Sequence, residues 1–244
     1  MRLDKLLGNL GYGTRSEIKK YCKQGFVRVN GAEAKKSDVH VDPENDEIVF
    51  NGELVNYREF VYLLLNKPVG YVSATFDKYD PTVIDLIGEE YLPFEPFPVG
   101  RLDKDTEGLL VITNDGKLSH RVLSPKNHVP KKYYAIIDKE VDDMDVRIFE
   151  KGVYIGEDYT TKPSKLEVLN PFEFEDGSLG SEVHVTISEG KFHQVKRMFE
   201  AVGKEVVYLQ RIQMGGLELD EELDLGEYRE LTPEEVELLE IRDI

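Results

Sequence analysis

The chain holds one cysteine, Cys22, in 244 residues. An internal disulfide is thereby excluded, which fits a reducing compartment. No run of about 18 apolar residues occurs, so no membrane-spanning helix is expected. The opening segment, MRLDKLLGNLGYGTR, lacks an apolar stretch followed by a small-residue cleavage site, and a cytoplasmic location is expected. The five histidines are scattered, and with a single cysteine they make no zinc spacing. Gly11-Tyr12-Gly13 is no dinucleotide loop, because no strand precedes it and the third glycine is missing. Asp103-x-Asp105-x-Glu107-Gly108 begins like a calcium loop. Asn114 then stands where a bidentate Glu belongs, and a buried strand starts too early. Neither metal nor cofactor is expected.

Basic residues are in the minority, 31 Lys and Arg against 48 Asp and Glu, for a net charge of −17. Such a balance argues against a nucleic-acid partner until its distribution is followed. The first 40 residues carry nine basic and four acidic side chains, and the last 28 carry two and twelve. A basic head on an acidic body describes a localised site for an anionic ligand. The acidic remainder suppresses indiscriminate binding.

The head is patterned as a small module. Leu3, Leu6, Leu7 and Leu10 recur at helical spacing, and Gly11-Tyr12-Gly13 breaks that helix. Thr14-Arg15-Ser16-Glu17 has capping-box spelling and opens a second helix through about Gln24. Ile18, Tyr21 and Cys22 form its apolar stripe, while Arg15, Lys19 and Lys23 recur along a polar face. Gly25 ends it. Phe26 to Val29 and Asp46 to Phe50 read as strands, each followed by an Asn-Gly hairpin turn. Residues 53–59 are expected to link this domain, 1–59, to a second, 60–244.

The second domain is expected to be α+β, because its strands outnumber its helices and interleave with them. Val61 to Leu65, Leu109 to Ile112, Lys132 to Ile137, Glu182 to Ile187 and Val206 to Ile212 read as strands. Val195, Met198, Phe199 and Val202 have helical spacing, and Thr232-Pro233-Glu234-Glu235 starts a short terminal helix. Residues 170–181, rich in glycine and acids, are expected to be an exposed loop.

The most informative segment is Gly100-Arg101-Leu102-Asp103-Lys104-Asp105-Thr106-Glu107-Gly108-Leu109-Leu110. It sets an acid between an arginine and a glycine-led apolar strand. Asp103 thus lies on a loop entering a sheet, where a rigid scaffold can hold a reactive carboxylate. GRLDKDTEGLL resembles the catalytic signature of the RNA pseudouridine synthases. So do LLNKPVGYVSA with Lys67, Pro68 and Gly70, the strand KKYYAI with Tyr133, and EGKFHQVKRMF with Lys196. The head, with RLDKLL, Thr14-Arg15 and GFVRVNG, resembles the S4 RNA-binding domain.

These resemblances imply a small N-terminal S4-like (αL) domain and a catalytic domain with a mixed, largely antiparallel sheet. They imply Arg2, Lys5, Arg15, Lys19, Lys23 and Arg28 as RNA contacts and Asp103 as the catalytic aspartate. The reaction breaks the C1′–N1 bond of a uridine, rotates the base and rejoins it through C5. A carboxylate serves it as nucleophile or base, with the target base flipped from its stack. Lys196 lies one position off its helix's apolar stripe and is expected to reach Asp103 and keep it ionised. Tyr133, on one strand face with Ala135 and Ile137, is expected to stack on the base, with Tyr134 as competitor. Arg101 is expected to contact phosphate or fill the place of the flipped base.

The span DGKLSHRVLSPKNHVPKKYYA, from Asp115 to Ala135, is similar to the branch that modifies small-subunit (16S) ribosomal RNA. The expected partner is therefore small-subunit ribosomal RNA or an assembly intermediate, and nothing calls for more than a monomer. The alternatives are a synthase for a large-subunit (23S) uridine, a non-catalytic S4-type RNA-binding factor, and a carboxylate glycosidase. The last needs a paired acid, and none is evident for Asp103.

Overall fold

The structure is a computed structural model that describes residues 1–43, 45–55 and 57–242. Its backbone contacts divide the chain into two compact units. One is Met1–Val61 with Ile87–Pro96; the other is Tyr62–Leu86 with the chain from Phe97 on. A segment of the expected second domain, 87–96, thus groups with the first unit.

In the first unit, α1 (Leu3–Asn9) and α2 (Arg15–Lys23) form a helical hairpin. Thr14 caps α2 in a full capping box: its Oγ1 accepts from Glu17 N at 3.3 Å, and its own N donates to Glu17 Oε2 at 2.8 Å. Such a cap contributes about 1 kcal/mol. Then follow β1 (Val27–Val29), β2 (Ala32–Glu33), β3 (Ile48–Phe50) and β4 (Glu53–Leu54), an antiparallel sheet in the order β2-β1-β3-β4. Both hairpins turn on an Asn-Gly pair with positive φ, 50° and 77° at Asn30-Gly31 and 50° and 90° at Asn51-Gly52. Two left-handed residues match the twist of the strands they join. Leu3, Leu6, Leu7, Ile18, Cys22, Val27 and Ile48 make the core.

The expected linker 53–59 is corrected in part. Glu53 and Leu54 are a hairpin strand, and Val55 and Tyr57 pack on the first core, so their apolar side chains outweigh the turn signal before them. Asn56 of that stretch lies outside the described residues.

The second unit contains β5 (Tyr62–Lys67), β6 (Phe97–Pro98), β7 (Glu107–Thr113), α3 (Gly116–Leu123), β8 (Lys131–Ile137), α4 (Asp143–Lys151), β9 (Lys165–Glu173), β10 (Leu179–Ile187), α5 (Gln194–Ala201), β11 (Val206–Met214), β12 (Leu217–Glu218), β13 (Tyr228–Glu230) and α6 (Pro233–Leu238). Among the described residues nine strands form one sheet, β13-β5-β7-β11-β8-β10-β9, with β12 beside β11 and β6 beside β7. Only the β7–β11 pairing is parallel, so the sheet is mixed and largely antiparallel. Strand β7 is buried along its whole length, as befits a central strand covered on both faces. Gly108 is required there: its φ is 99°, and a Cβ would collide with the Arg211 carbonyl oxygen of β11.

One expectation fails locally. The loop expected at 170–181 is mostly the extended hairpin of β9 and β10, joined near Gly177. Its residues are largely exposed, so no buried alternation marks them as strands. Asp115 caps α3, its Oδ1 accepting from Lys117 N at 2.9 Å and Leu118 N at 3.0 Å. Among the described residues no helix is long and apolar enough to cross a membrane.

Candidate active site

The loop of residues 100–106 enters β7, and three contacts fix its backbone. Ser73 Oγ donates to Leu102 O and accepts from Leu102 N, both at 3.0 Å. Gly70 N donates to Lys104 O at 2.8 Å. Beneath the loop lies Lys67, at the end of β5 and 0 % exposed. Its Nζ donates to Thr106 O at 2.8 Å, Pro68 O at 2.9 Å and Asp103 O at 3.1 Å, with Lys104 O at 3.5 Å. Burial lowers the Lys67 pKa from 10.5 to about 8, against the pull of Asp105, Glu107 and Asp103. A buried ammonium among carbonyls is an expensive tether, which sets the backbone at Asp103 firmly.

The Asp103 side chain is 29 % exposed, with Oδ1 3.5 Å from His193 Nε2 and Oδ2 4.0 Å from Lys196 Nζ. Neither oxygen accepts a close hydrogen bond from a described residue. Lys196, on α5, binds Asp105 instead, at 2.6 and 2.7 Å to its two oxygens. This corrects the expectation that Lys196 pairs first with Asp103. Asp105 stands two residues further along the same loop, is 72 % exposed, and offers both oxygens to the ammonium. Burial resists its ionisation, but the Lys196 hydrogen bond and charge outweigh that, and its pKa is lowered. Two neighbouring cations are engaged elsewhere: Arg197 with Ile155 O and Glu157, Lys191 over the Tyr159 ring.

His193 is the neighbour that sequence reasoning undervalued. It precedes α5 in a left-handed conformation, φ 48°, with its ring stacked on Phe192 at 3.7 Å between centroids. That backbone turn presents Nε2 to Asp103, and no spacing rule reveals it. Glu107, four residues after Asp103, is buried, and its Oε2 accepts from Tyr208 Oη at 2.6 Å.

Tyr133 faces inward on β8 with Ala135 and Ile137 and is 8 % exposed. It pairs across β11 with Arg211, which pairs in turn with Gly108 of β7. Two strand spacings put its backbone about 10 Å from that of Gly108. Tyr134 points to the opposite face, where its hydroxyl donates to Glu182 Oε1 at 2.9 Å and its ring meets His184 and Tyr208 edge-on. Arg101 is exposed and makes no hydrogen bond or ion pair with a described residue.

In the first unit a groove of about 490 Å³ is lined by Arg2, Arg15, Lys19, Lys23, Lys35 and Lys36, with Asp4 and Asp38 the only acids among its lining residues. Four of the six expected RNA contacts converge there. Lys5 does not line it, and Arg28 lies beside a separate groove near Gly25 and Asn51. Lys35 and Lys36 were missed because they lie outside any helix or strand whose period could orient them. Among the described residues no group of His, Cys, Asp or Glu is placed to hold a metal ion.

Comparison with known proteins gives this geometry its context. The sequence profile described as RNA pseudouridylate synthase matches residues 61–201, and that of the S4 domain matches residues 1–48. An uncharacterised RNA pseudouridine synthase of Bacillus subtilis is 53% identical, covering 98% of both chains. The ribosomal small subunit pseudouridine synthase A of Haemophilus influenzae is 41% identical over 98% of this chain and 99% of its own. That of Escherichia coli is 39% identical over 97% and 98%. A solved pseudouridylate synthase structure, 40% identical, superposes with a TM-score of 0.67 over 98% of this chain and 99% of that one.

Proposed function

We propose, for a chain that belongs to the RNA pseudouridine synthase family and carries an S4 domain at its head, that Asp103 drives the isomerisation of a uridine in small-subunit (16S) ribosomal RNA. That it is a pseudouridine synthase acting on RNA follows from the family. The observation that supports the role of Asp103 is its carboxylate: half-buried, clamped by its backbone, and with both oxygens free of close donors. Asp105, more exposed and saturated by Lys196, is the brace.

The chemistry asks for little else. The C1′–N1 bond breaks, C5 bonds to C1′, the C5 hydrogen leaves and N1 gains a proton. A free carboxylate acts as nucleophile or base in that sequence. His193 Nε2 and Lys196 Nζ stand 3.5 and 4.0 Å from its two oxygens, near enough to orient the carboxylate without capping it. Tyr133 offers its exposed edge to the flipped base, and Arg101 reaches the RNA backbone or the vacated stack. The groove of Arg2, Arg15, Lys19 and Lys23 holds RNA phosphates, joined by Lys35 and Lys36. The enzyme works in the cytoplasm as a monomer.

The small-subunit target is supported by the names of the Haemophilus and Escherichia relatives and by the SHR, SP and KKY elements between Ser119 and Tyr133. Every uridine presents the same edge, so the choice falls to the shape of the RNA. The test is to incubate the enzyme separately with unmodified small- and large-subunit RNA and map the new pseudouridines. Product in small-subunit RNA is expected; product confined to large-subunit RNA rejects the target.

A further inference from the structure

The segment between Ser119 and Tyr133 is unused by the chemistry above, yet it is tied to a distant lysine. Lys162 Nζ contacts Pro125 O at 3.1 Å and His128 Nδ1 at 3.2 Å. His128 takes a left-handed backbone, φ 54°, to meet it. An ammonium has three protons, so one remains without a described partner. Lys131, in the same segment, is buried, and its Nζ donates to Val129 O at 2.8 Å. Arg211, 2 % exposed, donates through Nε to Leu109 O at 2.8 Å, and its Nη2 has no partner.

Lys131 feels the charges of the other two. Burial, joined by the charges of Arg211 and Lys162, lowers the Lys131 pKa to about 8. Among the described residues none of the three forms an ion pair with a carboxylate. The acid nearest to Lys162 in the hydrogen-bond network is Glu189, and it is already engaged. Its oxygens accept from Tyr159 Oη at 2.5 Å, Lys162 N at 2.9 Å and Gln194 Nε2 at 3.1 Å. Three clustered cations, two of them buried, in a chain of net charge −17 lack an anion that the protein had many acids to supply. Lys131 shares its strand and face with Tyr133, about 7 Å away along the strand, roughly one nucleotide's reach.

We propose that Lys131 and Lys162, backed by Arg211, form a binding site for one backbone phosphate of the substrate RNA beside Tyr133. The proposal rests on the RNA pseudouridine synthase reading and deepens it. The SP and His128 elements then serve to hold Lys162 in place rather than to touch a base. One phosphate at this position fixes the strand's register relative to the stacking tyrosine.

The test is the affinity of wild type, Lys162→Gln and Lys162→Arg for an unmodified small-subunit RNA transcript, across a series of salt concentrations. Lys162→Gln is expected to lower the salt slope by roughly 0.7 to 0.9 and to weaken low-salt binding about threefold to tenfold. Lys162→Arg is expected to retain both. Unchanged slope and affinity in Lys162→Gln overturn the proposal. Release of the uracil C5 hydrogen by wild type on the same transcript tests the enzymatic reading separately. An active wild type with an unaltered Lys162→Gln slope removes the phosphate site alone. An inactive wild type with a reduced slope removes the target assignment and leaves the site.

Discussion

Replacing Lys67 with Met separates global stability from the setting of the Asp103 loop. The change keeps an unbranched chain and removes the ammonium. Three carbonyls, those of Thr106, Pro68 and Asp103, lose a donor at 2.8 to 3.1 Å. At the lower end of the range for unsatisfied groups the cost is about 3 kcal/mol. Opposing it, the variant no longer buries a charge. The shift of the Lys67 pKa from 10.5 to about 8 corresponds to about 3 kcal/mol of relief at neutral pH. The two nearly cancel, so the unfolding free energy should stay within about 2 kcal/mol of wild type. Turnover should not, because a misplacement of about 1 Å at the reacting group costs on the order of 100-fold. Urea unfolding reads the first quantity, and C5-tritium release from uridine-labelled RNA reads the second. Turnover within twofold of wild type refutes the tether. Loss of most of the stability instead shows that the cation is a pillar of the sheet.

Lys67 and Lys131 both have pKa values depressed from 10.5 to about 8. The unfolded chain therefore binds more protons between those values, and stability should rise with pH across that window, by up to about 1.4 kcal/mol per unit per group. Urea unfolding at pH 7.5 and 9.5 checks this, and lower stability at the higher pH contradicts it. Joint replacement of Arg15, Lys19 and Lys23 by Gln should lower the salt slope of RNA binding by roughly two to three units without unfolding α2. This is a cleaner test than truncation, because residues 87–96 group with the first unit; an unchanged slope removes the groove as the anchor. Gly108→Ala should fail to fold or lose several kcal/mol, since its Cβ meets the backbone of Arg211; thermal unfolding near the wild-type midpoint contradicts that packing.

Much of this was legible from the chain. The apolar run 109–112 announced a buried strand, and Thr14-x-x-Glu17 and the two Asn-Gly pairs announced their cap and turns, because each signal is local. The loop that carries Asp103 was legible because it abuts that strand. What stayed hidden depends on distant partners. Lys67 stands beside Pro68 in the sequence with nothing local to place it, and only pairing with β7 puts its amine under the Asp103 loop. Lys196 reaches the loop but takes Asp105 rather than Asp103, because the choice between two carboxylates two residues apart turns on side-chain reach. Strand β9 and the hairpin after it expose most of their residues, so no period marks them. Helix α3 carries little local signal, because its capping Asp115 sits in an Asn-Asp-Gly spelling that equally suits a turn.

The most direct measurement of the role given to Asp103 is C5-tritium release from uridine-labelled small-subunit RNA by Asp103→Asn and Asp105→Asn, with RNA affinity measured beside it. Asp103→Asn should bind RNA nearly as well as wild type and release no tritium above background, since the reaction needs the carboxylate and binding does not. Asp105→Asn should lose the Lys196 brace and slow, yet still turn over. An active Asp103→Asn beside a dead Asp105→Asn would contradict the assignment and move the reaction to the acid that Lys196 holds.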